Sequence, residues 1–383
     1  MGLLQRYIFK SVGLACLGGV GLFVFVLMTS NALRDITSKV PLEQLSPGLV
    51  GQLFGLLIPF AASLSLPLGM LIGILLVMGR LSASRELTAM RAAGLSLWHI
   101  AAPLMLIAMI GVGVGVYVNG WQAPTTRASY KNLLRNVLRE DPERVIVPRK
   151  FIHDFEDLVI YIGDREGQNV KQLWVWQLDD QRRVVRLLRA DTARVFYEEA
   201  RDSLVLEIQG GYVELRDQQD PDNLRRLQPV VSIASTSFRL PMSEAFDEPE
   251  TALRLSQMSI PQLMDRRQES LEMARTTEDP EVAAAARVEA TEATYLASRA
   301  VALAFSGLSL AMVGIPLGIK AARKETHANI ALALALALAY YLGMIMIDWA
   351  QERPDLHPYW LVWIPNLLCQ AAGIWLLRRA GRW

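Results

Sequence analysis

The chain has 383 residues, 52% of them hydrophobic and 20% charged, and its mean hydropathy is +0.25. Lysine plus arginine number 39 and aspartate plus glutamate 38, so no overall basic field points to nucleic acid as a partner. The two cysteines, Cys16 and Cys369, lie inside apolar runs, which excludes a disulfide framework or a cysteine zinc site. Long uncharged runs exclude a wholly soluble protein and predict an integral membrane protein with a substantial water-exposed part.

Six stretches are apolar and long enough to cross a bilayer core about 30 Å thick as helices. The second lies in an uncharged run, residues 44–79, that is too long for one crossing and contains Pro59 and Pro67. We expect a short helix near the outer interface there, followed by the span itself. The predicted spans are residues 11–33, about 56–78, about 100–121, 300–319, 328–347 and about 359–377.

Lysine and arginine are unevenly distributed over the short segments that connect these spans. If the N-terminus is cytoplasmic, the inner segments hold 11 basic residues and the short outer loops, 34–50 and 348–357, hold three. Because basic residues accumulate on the cytoplasmic side, the sequence predicts that both termini are cytoplasmic. Everything between spans three and four then lies on the outer side, since long domains are translocated largely regardless of charge.

The hydrophilic segment 127–295 begins with short runs of β-branched and aromatic residues that alternate with polar turns. This pattern predicts an antiparallel sandwich, jelly roll or open barrel. Such a domain can enclose either a slot for an apolar ligand or a filled core, and the alternation fits both. The predicted strands are residues 145–147, 158–162, 173–178, 184–189, 192–198, 203–209, 211–215 and 232–240.

Residues 257–298 are rich in Glu, Gln, Ala, Met and Arg and predict two helices, which Asp279-Pro280 separates. The predicted fold is therefore an α-helical membrane protein with six transmembrane helices and an outer antiparallel β domain, jelly-roll-like, inserted between helices 3 and 4. Its predicted parts are 1–126 with the first three spans, 127–256 with the β domain, 257–298 with the helical return and 299–383 with the last three spans.

Several common enzyme motifs are missing from the sequence. No G-x-x-x-x-G-K-[ST] phosphate loop is present, so the chain does not hydrolyse nucleotide by that route. The four histidines are scattered without H-E-x-x-H spacing, no G-x-S-x-G elbow occurs, and the predicted spans hold no acidic pair. We expect neither catalytic residues nor a metal site, and any energy for transport must come from another chain.

The cytoplasmic loop between spans two and three predicts a short amphipathic helix, because Ser84 precedes a helix-favouring run and Gly94 is a natural stop. Leu87 and Met90 fall on neighbouring turns, while Glu86 can face the cytoplasm. Such a helix, laid across the inner surface, can dock in a groove of a soluble partner. It can also be a connecting helix whose charges meet water and lipid head groups.

This loop, together with the order of the predicted parts, matches a known family. A glutamate is followed four residues later by a methionine, then by a small residue, a glycine and a small polar residue. Here these are Glu86, Met90, Ala92 or Ala93, Gly94 and Ser96. With the basic N-terminus that contains Arg6-Tyr7 and Lys10, the sequence resembles the LptF/LptG (YjgP/YjgQ) family of lipopolysaccharide-export permeases over essentially the whole chain.

Two further stretches carry the resemblance. Gly314-Ile315-Pro316-Leu317-Gly318-Ile319 lies at the inner end of span four, and Tyr340-Tyr341 lies within span five. Arg299 stands near the outer end of span four, where the family often has a basic residue. The segment 323–327 departs from the pattern, since many relatives have a glycine and a serine there next to the arginine.

The resemblance implies a permease subunit of an ATP-driven exporter in the bacterial inner membrane. This exporter extracts lipopolysaccharide from the outer leaflet and passes it to a periplasmic bridge. The implied partners are a paralogous permease subunit in a heterodimer, a cytoplasmic ATPase dimer and periplasmic bridge proteins. The chain itself needs no cofactor, while ATP and magnesium belong to the ATPase, and the β domain is periplasmic.

The resemblance also implies roles for particular residues. The loop at about 84–94 is the coupling helix that docks on the ATPase, and its candidate residues are Glu86, Leu87, Met90, Arg91 and Gly94. Arg34, Lys39 and Arg299 are candidate contacts for substrate phosphates, since cations at head-group level attract anionic lipids by about 1 kcal/mol each. Snorkelling to ordinary lipid phosphate is the alternative for Lys39, and a simple interface anchor is the alternative for Arg299.

Small residues on two spans allow two interpretations. Gly111 and Gly115 on span three, and those from Gly13 to Gly21 on span one, predict close helix packing. For span one, a mobile gate is the alternative. Other functions to be weighed are a different ABC-type permease that transmits ATPase motion without carrying lipid, a membrane enzyme acting on lipids, and a structural scaffold.

Overall fold

The computed structural model describes residues 2–39, 47–140, 148–155, 157–179, 181–198, 201, 203–216, 230–241, 255–321, 326–349 and 353–381. Within these ranges, the side chains at 31–39, 134–140, 153–155, 241, 320–321, 326–330, 354 and 381 are not described. The chain forms two compact units. The first comprises Met1–Asn31, Phe54–Tyr130 and Leu253–Trp383, and the second comprises Ala32–Leu53 and Lys131–Ala252.

The described helices are long and apolar. In chain order they are α1 (Leu3–Lys39), α2 (Pro47–Ala83), α3 (Glu86–Ala92), α4 (Leu97–Tyr117), a π-helix (Val118–Gln122), α5 (Ala123–Glu140), α6 (Ile260–Thr276), α7 (Pro280–Ala321), α8 (Thr326–Asp348), α9 (Pro358–Leu361) and α10 (Ile364–Gly381). Six stretches of the described residues can cross a membrane, as the sequence predicts: Leu3–Ser30, Pro47–Ala83, Leu97–Leu133, Pro280–Ile319, Ala331–Asp348 and Pro358–Ala380. The chain is therefore a multi-pass α-helical membrane protein.

The prediction of a separate interfacial helix before span two is wrong. Helix α2 runs without interruption through Pro59 and Pro67. Prolines are tolerated within membrane helices when neighbouring helices satisfy the freed backbone groups. Here the Tyr341 hydroxyl donates to the Leu64 carbonyl at 3.1 Å, within the turn that Pro67 disturbs.

Glycines of α2 bring α1 unusually close. A Cβ atom added at Gly69 would lie 2.3 Å from the backbone nitrogen of Val20, and one at Gly73 would lie 2.6 Å from that of Cys16. The Cys16 thiol also donates to the Met70 carbonyl at 3.7 Å. Only glycine permits this approach of two helix backbones, which is how membrane helices pack in the absence of a hydrophobic driving force.

The small residues of span three pack as the sequence predicts. A Cβ atom at Gly111 would lie 2.4 Å from the Met70 sulfur, and one at Gly115 would lie 3.0 Å from the Cβ of Ala304 in α7. On span one the prediction holds for Gly19, which faces Gly69, whereas added Cβ atoms at Gly13, Gly18 and Gly21 would meet no atom within 4 Å.

A buried polar network joins the last three spans. Asn366 of α10 is wholly buried, accepts from the Ser309 hydroxyl at 2.8 Å and donates to the Ala302 carbonyl at 2.8 Å. The Tyr340 hydroxyl of α8 donates to the same Asn366 oxygen at 3.3 Å. Buried polar groups cost free energy unless they are paired, so these hydrogen bonds hold α7, α8 and α10 in one arrangement.

The second unit contains a six-stranded antiparallel sheet. Its strands are β1 (Phe151–Phe155), β2 (Leu158–Glu166), β3 (Asn169–Leu178), β4 (Val184–Glu198), β5 (Ser203–Leu215) and β6 (Val231–Pro241), and each pairs with its neighbours in the sequence. β1 was not predicted, the two short strands predicted in each of β4 and β5 are single long strands, and the strand at 145–147 lies outside the described residues.

The connectivity of the described strands is a meander. A jelly roll requires two sheets joined by Greek-key connections, and the described strands form none of these. The strands predicted at 184–189 and 192–198 are one continuous strand. Two consecutive exposed residues, Asp191 and Thr192, interrupt its alternation of buried and exposed side chains between Ala190 and Ala193. A local irregularity of this kind looks like a turn in the sequence pattern.

One face of the sheet consists of buried apolar side chains. Ile160, Leu173, Val195 and Leu206 all have 0% exposure. Side chains that are wholly buried pack against other protein atoms, so along these positions the filled core describes the sheet better than an open slot does.

An aspartate fixes the hairpin between β3 and β4. The Asp179 carboxylate accepts hydrogen bonds from the backbone N–H groups of Arg183 at 2.8 Å and Gln181 at 3.0 Å. These bonds, above all the one from Arg183, lower the pKa of Asp179. The sequence pattern Asp-x-x-x-Arg thus builds its own turn.

The contact between α1 and α2 makes a direct prediction. Gly69→Ala should lower the thermal stability of the purified chain, because the new methyl group overlaps backbone atoms of Val20 and overpacking costs about 1–3 kcal/mol. Gly55→Ala in the same helix is the matched control, since its Cβ would meet no atom within 4 Å. Equal melting temperatures of the two variants in detergent would contradict the close packing.

Candidate functional site

Helix α3 is shorter than predicted and begins differently. It spans Glu86–Ala92 and follows Arg85, which adopts a left-handed conformation with φ of 61°. The hydroxyl of Ser84, the predicted cap, instead lies 2.9 Å from the Arg80 carbonyl oxygen and 2.8 Å from Oε1 of Glu86, so these two acceptors share its single hydrogen. Its hydroxyl therefore ties the end of α2 to the first residue of α3.

The end of α3 is the stop that the sequence predicts. Gly94 has a φ of 86°, a conformation that glycine adopts without steric penalty because it has no Cβ atom. Its N–H donates to the Arg91 carbonyl at 2.9 Å, and the Leu95 N–H donates to the Met90 carbonyl at 3.2 Å. This pair of bonds is a Schellman motif, which fixes the direction in which the chain leaves the helix.

Two of the predicted coupling residues face into the chain. Leu87 and Met90 are 4% and 8% exposed and belong to a buried cluster with Ile8 and Val12 of α1 and Leu97 of α4. They anchor α3 on the membrane helices. The surface that remains for a partner is formed by Arg85, Thr88, Ala89, Ala92 and Gly94, which are exposed, and by Glu86 and Arg91, which are half-buried.

Glu86 takes part in a polar cluster at the surface. Its Oε2 accepts from the Tyr7 hydroxyl at 3.4 Å, and that hydroxyl accepts from a guanidinium nitrogen of Arg80 at 3.4 Å. The sequence pattern marked Tyr7 as a family residue but gave no sign that it meets Glu86, because 79 positions separate the two.

A cleft of about 150 Å³ lies at the opposite end of the first unit from α3, where α4 passes into the π-helix. Two arginines, Arg127 and Arg299, line it. The Arg127 guanidinium stacks over the Phe60 ring, 5.1 Å from its centre. The other lining residues are Ser63, Asn119, Ala123, Pro124, Leu255, Ser256, Met258, Ile260, Leu263, Leu296, Ala300 and Leu303.

The π-helix brings a polar residue into this cleft. Asn119 donates to the Ala300 carbonyl at 3.3 Å, while its buried Oδ1 has no hydrogen-bond partner among the described residues. Single π-turns often occur at functional sites, because the extra residue redirects nearby side chains. With its two arginines, the cleft suits a ligand that carries an anionic group.

Arg299 has an acidic partner that the sequence did not reveal. Its guanidinium lies 3.0 and 3.2 Å from the two carboxylate oxygens of Asp348, at the end of α8. The Tyr295 hydroxyl donates to the same carboxylate. The sequence held one signal for this pair: a lone acid, Asp348, ends one apolar span, and a lone base, Arg299, stands at the start of another.

Arg34 and Lys39, the other two candidate substrate contacts, belong to the second unit. The backbone of α1 is helical through both positions, and their side chains lie outside the described part of the chain. Among the described residues, no group of three or more His, Cys, Asp or Glu side chains could hold a metal ion.

A search of protein families matches nearly the whole sequence. The model of the lipopolysaccharide export system permease LptF/LptG covers residues 6–379. The chain belongs to this family. No match to a curated protein was found. Because the match covers all six spans, the sheet, α3 and the cleft, it applies to both units.

The LptF/LptG motifs occupy packing positions around α2. Cβ atoms at Gly314 and Gly318 would lie 2.9 Å from Leu71 and 2.8 Å from Met78, so the motif glycines let α7 approach α2. The Tyr340 and Tyr341 rings meet edge to face, 5.6 Å apart. The departure from the family pattern at 323–327 falls largely outside the described residues, except for the helical backbone of Thr326 and His327.

The ion pair of Arg299 makes a prediction for this LptF/LptG subunit. Asp348→Asn should lower the free energy of unfolding by about 1 kcal/mol and the melting temperature with it, since Arg299 loses its counter-charge and both side chains are only partly exposed. Asp355→Asn, at an exposed position in a nearby loop, is the control. If the two variants melt at the same temperature in detergent, the ion pair does not stabilise the chain.

Proposed function

We propose that this chain is the permease subunit of an ATP-driven exporter that extracts lipopolysaccharide from the outer leaflet of the bacterial inner membrane. The observation that carries the proposal is the LptF/LptG family match over residues 6–379. The subunit passes its substrate to a periplasmic bridge. It works beside a paralogous permease subunit, and both of its termini are cytoplasmic because of the basic bias of its inner loops.

The substrate sets a physical requirement on the path. Moving acyl chains through water costs about 0.8 kcal/mol for each exposed CH₂ group. A path that stays apolar and sheltered avoids this cost, so two permease subunits enclose a membrane cavity and their periplasmic β domains continue the path outward. The exposed apolar surfaces of α1 and α8, with Leu17, Phe25, Leu338 and Met346 among their residues, suit a cavity wall or lipid contact.

The energy comes from a cytoplasmic ATPase dimer that binds ATP and magnesium. Helix α3 is the docking element for this partner, with Glu86, Arg91 and Gly94 on or near its exposed side and Leu87 and Met90 as its anchors. A short helix with one anchored face and one exposed face can dock in a groove of a soluble partner.

The anionic groups of the substrate are held by cations at head-group level. Arg34 and Lys39 lie in the helical extension of α1, and Arg299 lies in the cleft with Arg127. Arginine binds phosphate with two parallel hydrogen bonds, so a phosphate that reaches Arg299 competes with Asp348 for the same guanidinium edge.

Reconstitution tests this function against its nearest alternative. With the partner subunits present, ATP-dependent transfer of lipopolysaccharide to an acceptor should require this chain. A photo-crosslinking residue at position 34 or 299 should capture the lipid, and one at Trp98, exposed at the start of α4, is the control. ATP hydrolysis by the complete complex without any transfer of lipid would favour a permease that transmits motion to its outer domain without carrying lipid, and transfer without capture at 34 or 299 would contradict the proposed contacts at these positions.

The docking role of α3 predicts the effect of a charge reversal. Glu86→Lys should reduce recovery of the ATPase with the membrane complex by about tenfold or more, because a lysine replaces the carboxylate that meets a basic residue of the partner. Membrane insertion should be normal, since Leu87 and Met90 still anchor the helix. Glu272→Lys, at an exposed position of α6, is the control, and equal recovery of ATPase with both variants would contradict the docking role.

A further inference from the structure

The inner end of α1 shares a buried cluster with α3, the proposed coupling helix. Ile8 is 1% exposed and Val12 is 0% exposed, and both belong to the buried cluster that contains Leu87 and Met90 of α3. Because these side chains share one core, α3 cannot be displaced without moving α1 or breaking this packing.

A polar contact accompanies the packing. Tyr7 is 44% exposed, and its hydroxyl lies within hydrogen-bond distance of both Glu86 and Arg80. It bridges a carboxylate and a guanidinium that form no direct ion pair among the described residues. Ser84 holds the other oxygen of Glu86 at 2.8 Å.

These contacts orient Glu86 without saturating it. A carboxylate offers about four acceptor positions, and Tyr7 and Ser84 each use one of them. The remaining positions are free for a cation of a partner. A carboxylate that is held in place before docking loses less side-chain freedom when the partner binds.

Helix α1 is also the span with the least support from the rest of its unit. The share of buried residues in its most apolar window is 11%, against 22–72% for the other five candidate spans. Where α1 meets the glycines of α2, Val20 faces Gly69 and Cys16 faces Gly73. A span with so few buried residues loses little packing within the chain when it moves.

We propose that Tyr7 is a positioning residue for Glu86. We also propose that the inner end of α1 moves together with α3, so that a displacement of α3 moves span one. This inference rests on the proposed docking of the ATPase at α3. The inference adds how motion of α3 is transmitted to the membrane helices: from Glu86 and Leu87 to Tyr7 and Ile8, and then along α1.

The test compares two tyrosine hydroxyls in the reconstituted complex. Tyr7→Phe keeps the ring and removes the hydroxyl that meets Glu86. The amount of lipid transferred for each ATP hydrolysed should fall roughly three- to tenfold, the effect of losing one ordinary hydrogen bond. Tyr359→Phe is the matched control, because its hydroxyl makes one contact, with Nδ1 of His357 at 2.8 Å, at the start of α9.

Two further measurements separate positioning from a general structural role. Tyr7→Phe should have little added effect on transfer in a Glu86→Ala background, since the two residues act through one contact. Hydrogen exchange of the α3 amides should become faster in Tyr7→Phe and not in Tyr359→Phe, a readout that does not depend on lipid transfer.

The possible outcomes are distinct. Unchanged transfer per ATP in Tyr7→Phe, unchanged exchange of α3, or effects of Tyr7→Phe and Glu86→Ala that simply add would each overturn the inference. If the unmodified complex transfers no lipid with ATP, the proposed function fails. The exchange experiment then still decides whether Tyr7 holds α3.

Discussion

Close packing of backbone against backbone around α2 is the constraint on which the arrangement of the membrane helices depends. Lipid tails are as apolar as leucine, so burial of apolar side chains does not by itself bring membrane helices together. Here Gly69 and Gly73 admit α1, while Gly314 and Gly318 of α7 admit α2 from another side. Contacts of this kind leave no space for a larger side chain, because a single added methyl group would overlap the facing helix.

Both candidate functional regions are attached to this framework. At one end, α2 ends at Ala83 and α3 follows after two residues, so the proposed docking surface is positioned by the same helix that organises the spans. At the other end, the cleft with Arg127 and Arg299 is lined by residues of α2, α5 and α7. A change in how the neighbours of α2 pack can therefore reach both regions, which is what a coupled permease needs.

Two sets of polar groups in the membrane helices are paired within the chain. Asn366 is satisfied by Ser309, Tyr340 and the Ala302 carbonyl, and Arg299 is matched by Asp348. The first set is wholly buried and serves structure, because α7, α8 and α10 lose hydrogen bonds if they separate. The second is partly exposed and borders a cleft, so its charges remain accessible to an anionic ligand.

The sequence by itself determined the features that depend on composition along the chain. Six apolar stretches, the sheet-forming segment, the break at Asp279-Pro280 and the stop at Gly94 could all be predicted, because each follows from residues that are near one another in sequence. The family resemblance rested on such local motifs too. The continuity of α2 through Pro59 and Pro67 could not be predicted, since it depends on neighbouring helices that compensate for the prolines.

Only the tertiary structure decided which residues meet. Leu87 and Met90 looked like a partner-facing surface on a short amphipathic helix, yet they are buried on α1 and α4. The contacts of Glu86 with Tyr7 and of Arg299 with Asp348 join positions 79 and 49 residues apart. Such pairs leave no periodic pattern in one sequence, because a hydrogen bond constrains only the two side chains it joins, and helix packing determines which side chains those are.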